Sequence, residues 1–184
     1  KEKSISRVYD PIQGRRYNGN LDLLPTDIHN VDVRWEYIYG LGEVISVSGF
    51  YKRFINPIEI ASFDLAPEEI KPVNAGVANL FGIELEVRKL VAFQKDEGRN
   101  LFFGSNITFV KSQIDMEKVL VEKGDDFVSE RELRQANARD GETIERYRSM
   151  FGQSPYIINA YFNYDDTLGL DVNLSYNVQG DRLS

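Results

Sequence analysis

The stretch Val31-Asp32-Val33-Arg34-Trp35-Glu36-Tyr37-Ile38-Tyr39 decides the fold. Val31, Val33, Trp35, Tyr37 and Tyr39 are apolar or aromatic, and Asp32, Arg34 and Glu36 stand between them. Successive side chains of a strand point to opposite faces, so a period of two predicts a β-strand with one dry face and one wet face. Gly40-Leu41-Gly42-Glu43 supplies turn residues. Val44 to Phe54 then resumes the pattern, with Ser46, Ser48 and Lys52 on one side and Ile45, Val47 and Tyr51 on the other. Together the two runs predict a hairpin.

The same alternation returns four times. Phe81, Ile83, Leu85 and Val87 alternate with Gly82, Glu84, Glu86 and Arg88, and Leu101 to Lys111 sets Phe103, Ile107 and Phe109 against Asn106 and Thr108. Tyr156, Ile158, Ala160, Phe162 and Tyr164 alternate with Asn159 and Asn163. After a turn at Asp165-Asp166-Thr167-Leu168-Gly169, the residues Leu170, Val172, Leu174, Tyr176 and Val178 alternate with Asp171, Asn173, Ser175 and Asn177. The reading is all-β: six strands in an antiparallel up-and-down sheet. At about 9 to 13 residues they are long for a soluble sheet and close to what a tilted membrane strand needs.

Link lengths add a second signal. The links at Gly40 to Glu43 and Asp165 to Leu168 are tight and that from Ala92 to Asn100 is modest, whereas the stretches 56–73 and 113–153 are long. Alternate links of an up-and-down sheet lie at the same end, so all the short ones fall at one end and the long ones at the other. Outer-membrane barrels have this asymmetry. Within the second long link, Ser129 to Ala138 and Gly141 to Met150 could each form a short helix, and a solvated outer loop is the simplest description of the rest. No internal repeat or linker divides residues 1–184, which read as a single partial barrel domain.

Composition excludes several classes. With 42% hydrophobic and 28% charged residues the chain is neither disordered nor low in complexity. A formal charge of -7 and a pI of about 4.9 argue against nucleic-acid binding and leave no polybasic segment for anionic lipid. The absence of cysteine removes disulfides, thiolate zinc sites and thiol nucleophiles. Lys1-Glu2-Lys3 opens without an apolar signal region, and no run of about 18 apolar residues could cross a bilayer as a helix.

Alternation alone leaves open whether the apolar face meets lipid or a second sheet, as in a sandwich. The sorted links favour lipid. So do Tyr37, Tyr39 and Tyr164 near the short turns and Phe50 and Tyr51 towards the far end, where rings with a polar tip suit the headgroup level. On the barrel reading the polar face lines a water-filled lumen with Asp32, Arg34, Glu36, Glu84, Glu86, Arg88, Asn159 and Asn163.

An ordered series of short segments carries a more specific signal. Gly19-Asn20 and Leu24-Pro25 precede Asn30-Val31-Asp32-Val33 and Glu36-Tyr37, followed by Gly49-Phe50-Tyr51-Lys52, Asn56-Pro57-Ile58-Glu59 and Gly82-Ile83-Glu84-Leu85-Glu86. Gly152-Gln153-Ser154-Pro155-Tyr156 with Asn159, and Leu174-Ser175-Tyr176-Asn177 ending at Gly180-Asp181-Arg182, complete the set. From Gly19 onward the chain resembles the C-terminal part of the barrel of a TonB-dependent outer-membrane receptor. The resemblance implies about six strands of a barrel of about 22, plugged and set in outer-membrane lipid. It also implies import of a scarce solute such as an iron chelate, a vitamin or an oligosaccharide, with the rest of the barrel, a plug domain and the TonB complex as partners. No plug, TonB-contacting box or closing strand with a terminal aromatic is present, so the chain is expected to be part of a transporter.

Individual residues suggest sharper chemistry, each with a plainer alternative. Glu84 and Glu86 share a strand face, about 7 Å apart, a spacing that suits an inverting glycosidase pair. Lumen lining partnered by Arg34 or Arg88 is the plainer reading, and the same holds for Asp32 and Glu36. His29 is the only histidine, which excludes a two-histidine zinc site. Asp125-Asp126 and Asp140-Gly141-Glu142 fit no calcium-loop register, because Ala136 and Ala138 would occupy ligand positions. Asn106-Ile107-Thr108 and Asn173-Leu174-Ser175 match the glycosylation sequon inside strands, as chance matches do.

Arg146, Tyr147 and Arg148 in the second long link could stack on and pair with an anionic ligand, or could simply return the chain to the barrel rim. No catalytic residue, metal site or cofactor is expected. A secreted β-sandwich binding module is the alternative reading. A barrel enzyme would need a nucleophile, base and orienting acid that cannot be assembled from these residues.

Overall fold

A computed structural model describes residues 7–12, 14–63, 66–94, 98–123 and 126–182. The opening Lys1-Glu2-Lys3, Asp125 of the acidic pair and the final Leu183-Ser184 lie outside them. The elements begin with β1 (Arg7–Asp10), β2 (Arg15–Asn18), β3 (Asp27–Gly40), β4 (Glu43–Ile55), β5 (Ile58–Phe63), β6 (Ala66–Asn74) and β7 (Val77–Gln94). They continue with β8 (Arg99–Asp115), β9 (Leu120–Lys123), β10 (Asp126–Ser129), α1 (Glu130–Ala136), β11 (Tyr147–Arg148), β12 (Tyr156–Asp165) and β13 (Asp171–Gln179). No helix among the described residues is long and apolar enough to cross a membrane.

The main sheet has the order β13-β12-β8-β7-β4-β3, with β11 pairing on β8. Its six long strands are the six expected from alternation, and each pairs with its predecessor and successor among them, as an up-and-down sheet requires. Register keeps the faces separate: Phe162 lies opposite Phe103 and Leu174, while Asn159 lies opposite Asn106 and Asn177. Because the side-chain period is two, a slip of one residue would exchange the faces, so the pattern that makes the strands also fixes their pairing. The sheet is open, with β3 and β13 at its edges.

The chain forms two compact units. The first comprises Lys1–His29, Arg53–Asn79 and Ser112–Phe151, and the second Asn30–Lys52, Leu80–Lys111 and Gly152–Ser184. In the first unit the stretches read as loops are folded. Residues 58–74 form the β5–β6 hairpin of a four-stranded sheet ordered β1-β2-β6-β5, in which β2 and β6 run parallel through Arg16 opposite Glu69 and Tyr17 opposite Ile70. Pro67 and Pro72 hide β6 in the sequence, since proline cannot donate to a ladder. The pairing with β2 joins residues about fifty positions apart, beyond the reach of local patterning.

In the second long link β9 pairs with β10, and α1 forms inside the expected 129–138 window. Ser129 caps it by accepting a hydrogen bond from the Glu132 N–H, and Glu130 and Glu132 place negative charge at its positive end. The second expected helix, over 141–150, does not form. There Tyr147 and Arg148 pair instead with Asp115 and Ile114 of β8. Ala75, Ala78, Ile114 and Val119, flanked by Phe54 and Met150, make an ordinary hydrophobic core for this unit.

The second unit is built the other way round. Among the described residues its buried ones are Ser46, Gly104, Ser154 and Gly180, and the buried hydrophobic side chains described all belong to the first unit. Trp35 is 58% exposed, Leu85 41% and Leu174 69%, so no second sheet covers the apolar face and the sandwich alternative is not what forms. Trp35, Tyr37 and Tyr39 stack along β3. Tyr51 packs on Phe81 of the same apolar face, with ring centroids 5.0 Å apart. Phe50, read with Tyr51 as part of a girdle, points the opposite way, because neighbours on a strand cannot share a face. Its ring lies over Gly82 on the polar side.

Candidate functional site

On the polar face of the second unit, Arg34 of β3 is the hub. Its guanidinium donates to Glu86 Oε2 at 2.7 Å, to Glu36 Oε1 at 2.5 Å and to Ser48 Oγ at 3.3 Å. Ser46 Oγ donates to the same Glu86 oxygen at 3.4 Å, so β3, β4 and β7 are joined through their polar side chains. A ladder of amides crosses the other strands. Asn177 donates to Asn159, Asn159 to Asn106 Oδ1 at 2.6 Å, and Asn106 to Glu84 Oε1 at 3.4 Å, linking β13, β12, β8 and β7.

The remaining predicted polar residues lie on the same face. Arg88 Nε donates to the Gly42 carbonyl at 2.5 Å, tying the tight β3–β4 turn to β7. Asp32 accepts from Asn30, and Asn163 sits in register with Phe102 and Asn173. A concavity of about 200 Å³ opens at Glu86, Asn106, Asn159 and Tyr161. Each exposed ion pair contributes about 0–1 kcal/mol, so the network orients side chains more than it stabilises the sheet. The carboxylates of Glu84 and Glu86 are engaged by Asn106 and by Arg34 with Ser46. Among the described residues no three histidine or acidic side chains are grouped to hold a metal ion.

In the first unit, β11 splits the Arg146-Tyr147-Arg148 triplet by strand alternation. Arg148 meets Glu59 at 2.7 Å and Glu130 at 2.6 Å, with side chains only 15%, 6% and 11% exposed. Glu59 also accepts from the Phe151 N–H at 2.8 Å, and Arg134 reaches Glu130 at 2.8 Å. Burial pushes the Arg148 guanidinium pKa down, but hydrogen bonds to Glu130 and Glu59 outweigh it and raise the value above that of a free arginine. Arg146 grips Asp115 through two bonds, at 2.7 and 2.9 Å, and lies 3.3 Å from Glu117. Its guanidinium holds the Asp115 carboxyl below the usual carboxylate value. Tyr147 is 48% exposed, with the Arg146 guanidinium 5.5 Å from its ring centre.

The family model described as TonB dependent receptor-like, beta-barrel matches residues 4–184. The chain belongs to this family. No curated protein and no solved structure matches it. The TonB-dependent receptor barrel is an outer-membrane transport architecture, and the open six-stranded sheet is a section of such a wall.

Sequence reading located the polar face of this receptor barrel because charged and amide residues in phase along a strand must share a side. It missed Tyr161, which stands in phase with Asn159 and Asn163 and is therefore an aromatic residue on the polar face. Phase, not residue type, was the signal that would have found it. It also missed Glu59, Glu130 and Asp115 as the partners of Arg148 and Arg146. Those pairings join β5, α1, β8 and the β11 segment, and no local spacing encodes them.

Proposed function

We propose that this chain is part of the wall of a receptor that imports a scarce solute across the outer membrane. The observation that carries the reading is the inverted burial of the second unit: apolar side chains exposed, serines buried. Fully burying one large apolar side chain is worth about 1.5–3 kcal/mol, so a dozen half-exposed ones represent on the order of 10 kcal/mol that only a covering apolar phase recovers. Outer-membrane lipid is that phase, and Asp32, Arg34, Glu36, Glu84, Glu86, Arg88, Asn159 and Asn163 then face a wet lumen.

The solute, of siderophore, vitamin or oligosaccharide class, is captured at the folded outer links. There Tyr147 is the contact that the Arg146-Tyr147-Arg148 triplet offers a ligand, and the two arginines hold it in place. A plug domain blocks the lumen until the TonB complex displaces it, and the chain's own residues perform no covalent chemistry. The receptor should require detergent and show heat-modifiable gel mobility, and deleting its gene should abolish energy-dependent uptake of one solute. A detergent-free, monodisperse monomer, or a deletion strain with every uptake unchanged, would overturn the reading.

A further inference from the structure

Two aromatic rings lie down on the polar face of the second unit instead of standing away from it. A Cβ placed on Gly104 would come within 2.1 Å of Tyr161 Cζ and 2.4 Å of its Oη, and one on Gly82 within 2.0 Å of Phe50 Cζ. No real Cβ tolerates such distances. Each ring therefore occupies the space above a glycine on the neighbouring strand, and for Tyr161 that glycine is its direct register partner on β8. Strand side chains ordinarily stand roughly perpendicular to the sheet. A ring laid flat shows one face to the wall and the other to the space in front of it.

The surroundings of Tyr161 are amides. Asn159 and Asn163 flank it on β12, Ser175 lies opposite on β13, and Asn106 lies opposite Asn159 on β8. An asparagine amide offers two N–H donors and a carbonyl with two lone pairs. In the ladder Asn159 uses one donor towards Asn106 and accepts once from Asn177, so it keeps one N–H and one lone pair, and Asn106 is used in the same way. Of the cations on this face, Arg34 is spent on Glu36 and Glu86, Arg88 donates one N–H to the Gly42 carbonyl at the tight turn, and Lys52 lies 5.9 Å from the Phe50 ring centre. An anionic ligand at Tyr161 would meet Glu84 and Glu86, and the Arg34 guanidinium is already spent on Glu36 and Glu86.

Resting on the import reading above, we propose that Tyr161, Asn106 and Asn159 form a subsite for a neutral, polyhydroxylated ring, one sugar unit of an oligosaccharide. A sugar ring has a face of C–H bonds with slight positive charge, which matches the electron-rich face of the phenol. Its rim of hydroxyls both donates and accepts, which matches the unused amide groups. The flat ring, the amides and the neighbouring carboxylates of Glu84 and Glu86 together select this chemistry over a ferric chelate.

The test is calorimetric titration of the full-length receptor in detergent. The ligands are hexasaccharides of glucose, xylose and mannose, an acidic oligogalacturonate and a ferric siderophore. At least one neutral hexasaccharide should bind. Tyr161→Ala should weaken it about tenfold and Tyr161→Trp should not, since the platform accounts for roughly the 1.4 kcal/mol that tenfold represents. Asn159→Ala should weaken it several-fold.

Unchanged gel mobility on heating shows that each variant is folded. If no neutral hexasaccharide binds, or if Tyr161→Ala lowers thermal stability while leaving affinity unchanged, the subsite is overturned and the ring only covers Gly104. Siderophore binding with siderophore uptake and no saccharide binding overturns the subsite and leaves the import reading standing. Saccharide binding that depends on Tyr161, in a receptor whose deletion alters no uptake, supports the subsite and overturns import.

Discussion

In the first unit Ile114 and Ala78 are wholly buried and Arg148 is folded in among carboxylates, whereas in the second Leu174 is 69% exposed and, among the described residues, the buried side chains belong to Ser46 and Ser154. Both units are largely β, drawn from one chain with one composition. What differs is the medium each surface is built to meet. The first unit buries apolar atoms against its own elements and must therefore pair any charge it encloses. The second leaves its apolar side chains exposed and keeps hydrogen-bonding groups on the other face, where water can complete what side chains leave unfinished. Burial is thus a statement about solvent before it is one about stability.

Four tests would break or sharpen this contrast. The largest effect is expected from Arg148→Ala, which strands Glu59 in the first unit without a counter-charge and leaves Glu130 with Arg134 alone. Removing one partner of a buried pair costs about 3–5 kcal/mol, and hydrogen exchange at the β5 and α1 amides should accelerate accordingly while heat-modifiable mobility of the barrel is retained. An effect confined to a few tenths would mean that this cluster behaves like the exposed pairs around Arg34.

Next comes Leu174→Arg, on the apolar face of β13, expected to cost about 2–4 kcal/mol in folding into lipid vesicles if it sits near the midplane. Ser175→Arg, one residue along and on the polar face, should cost far less. Equal costs for the pair would erase the distinction between the faces.

A smaller loss, about 1–3 kcal/mol, is expected from Gly82→Val, because the added side chain would occupy the position of the Phe50 ring. Phe50→Ala in the same chain should recover part of it, and a double-mutant cycle would read the coupling.

The smallest effect concerns acid. Asp115 is held below the usual carboxylate value by Arg146, so its contribution is complete above that usual value and is lost as pH falls through the depressed one. Asp115→Asn should therefore remove the acid-dependent part of the exposure of residues 115–117 and 146–148, followed by limited proteolysis between pH 7 and about pH 2. An unchanged acid profile would show that another carboxylate governs this region.

How much could be read before the structure follows from the same contrast. The second unit was legible almost strand by strand, because residues Val31 to Tyr39 and their five counterparts carry a period of two that only scattered residues such as Ile38, Phe50 and Tyr161 interrupt. The first unit was not. Ile58-Glu59-Ile60 begins a strand that alternates, but Pro67 and Pro72 blur its partner, and the helix at Glu130–Ala136 was read only as one of two short helices, of which that over 141–150 does not form. The site divided in the same manner. Arg34, Glu86, Asn106 and Asn159 were placed on one face by phase, while Tyr161 was overlooked because an aromatic residue was expected on the other.

The sequence by itself determined the six long strands of the main sheet, their order, the separation of their faces and the family, since each follows from local periodicity or from ordered short segments. Tertiary structure alone decided that Arg146 and Arg148 spend their charge on Asp115, Glu59 and Glu130, that β6 lies between β2 and β5, and that Tyr161 lies down over Gly104. The physical reason is range. Alternation is a property of neighbours in the chain, whereas an ion pair across 89 positions or a ring above a glycine on another strand depends on which surfaces the folded backbone brings within a few ångströms.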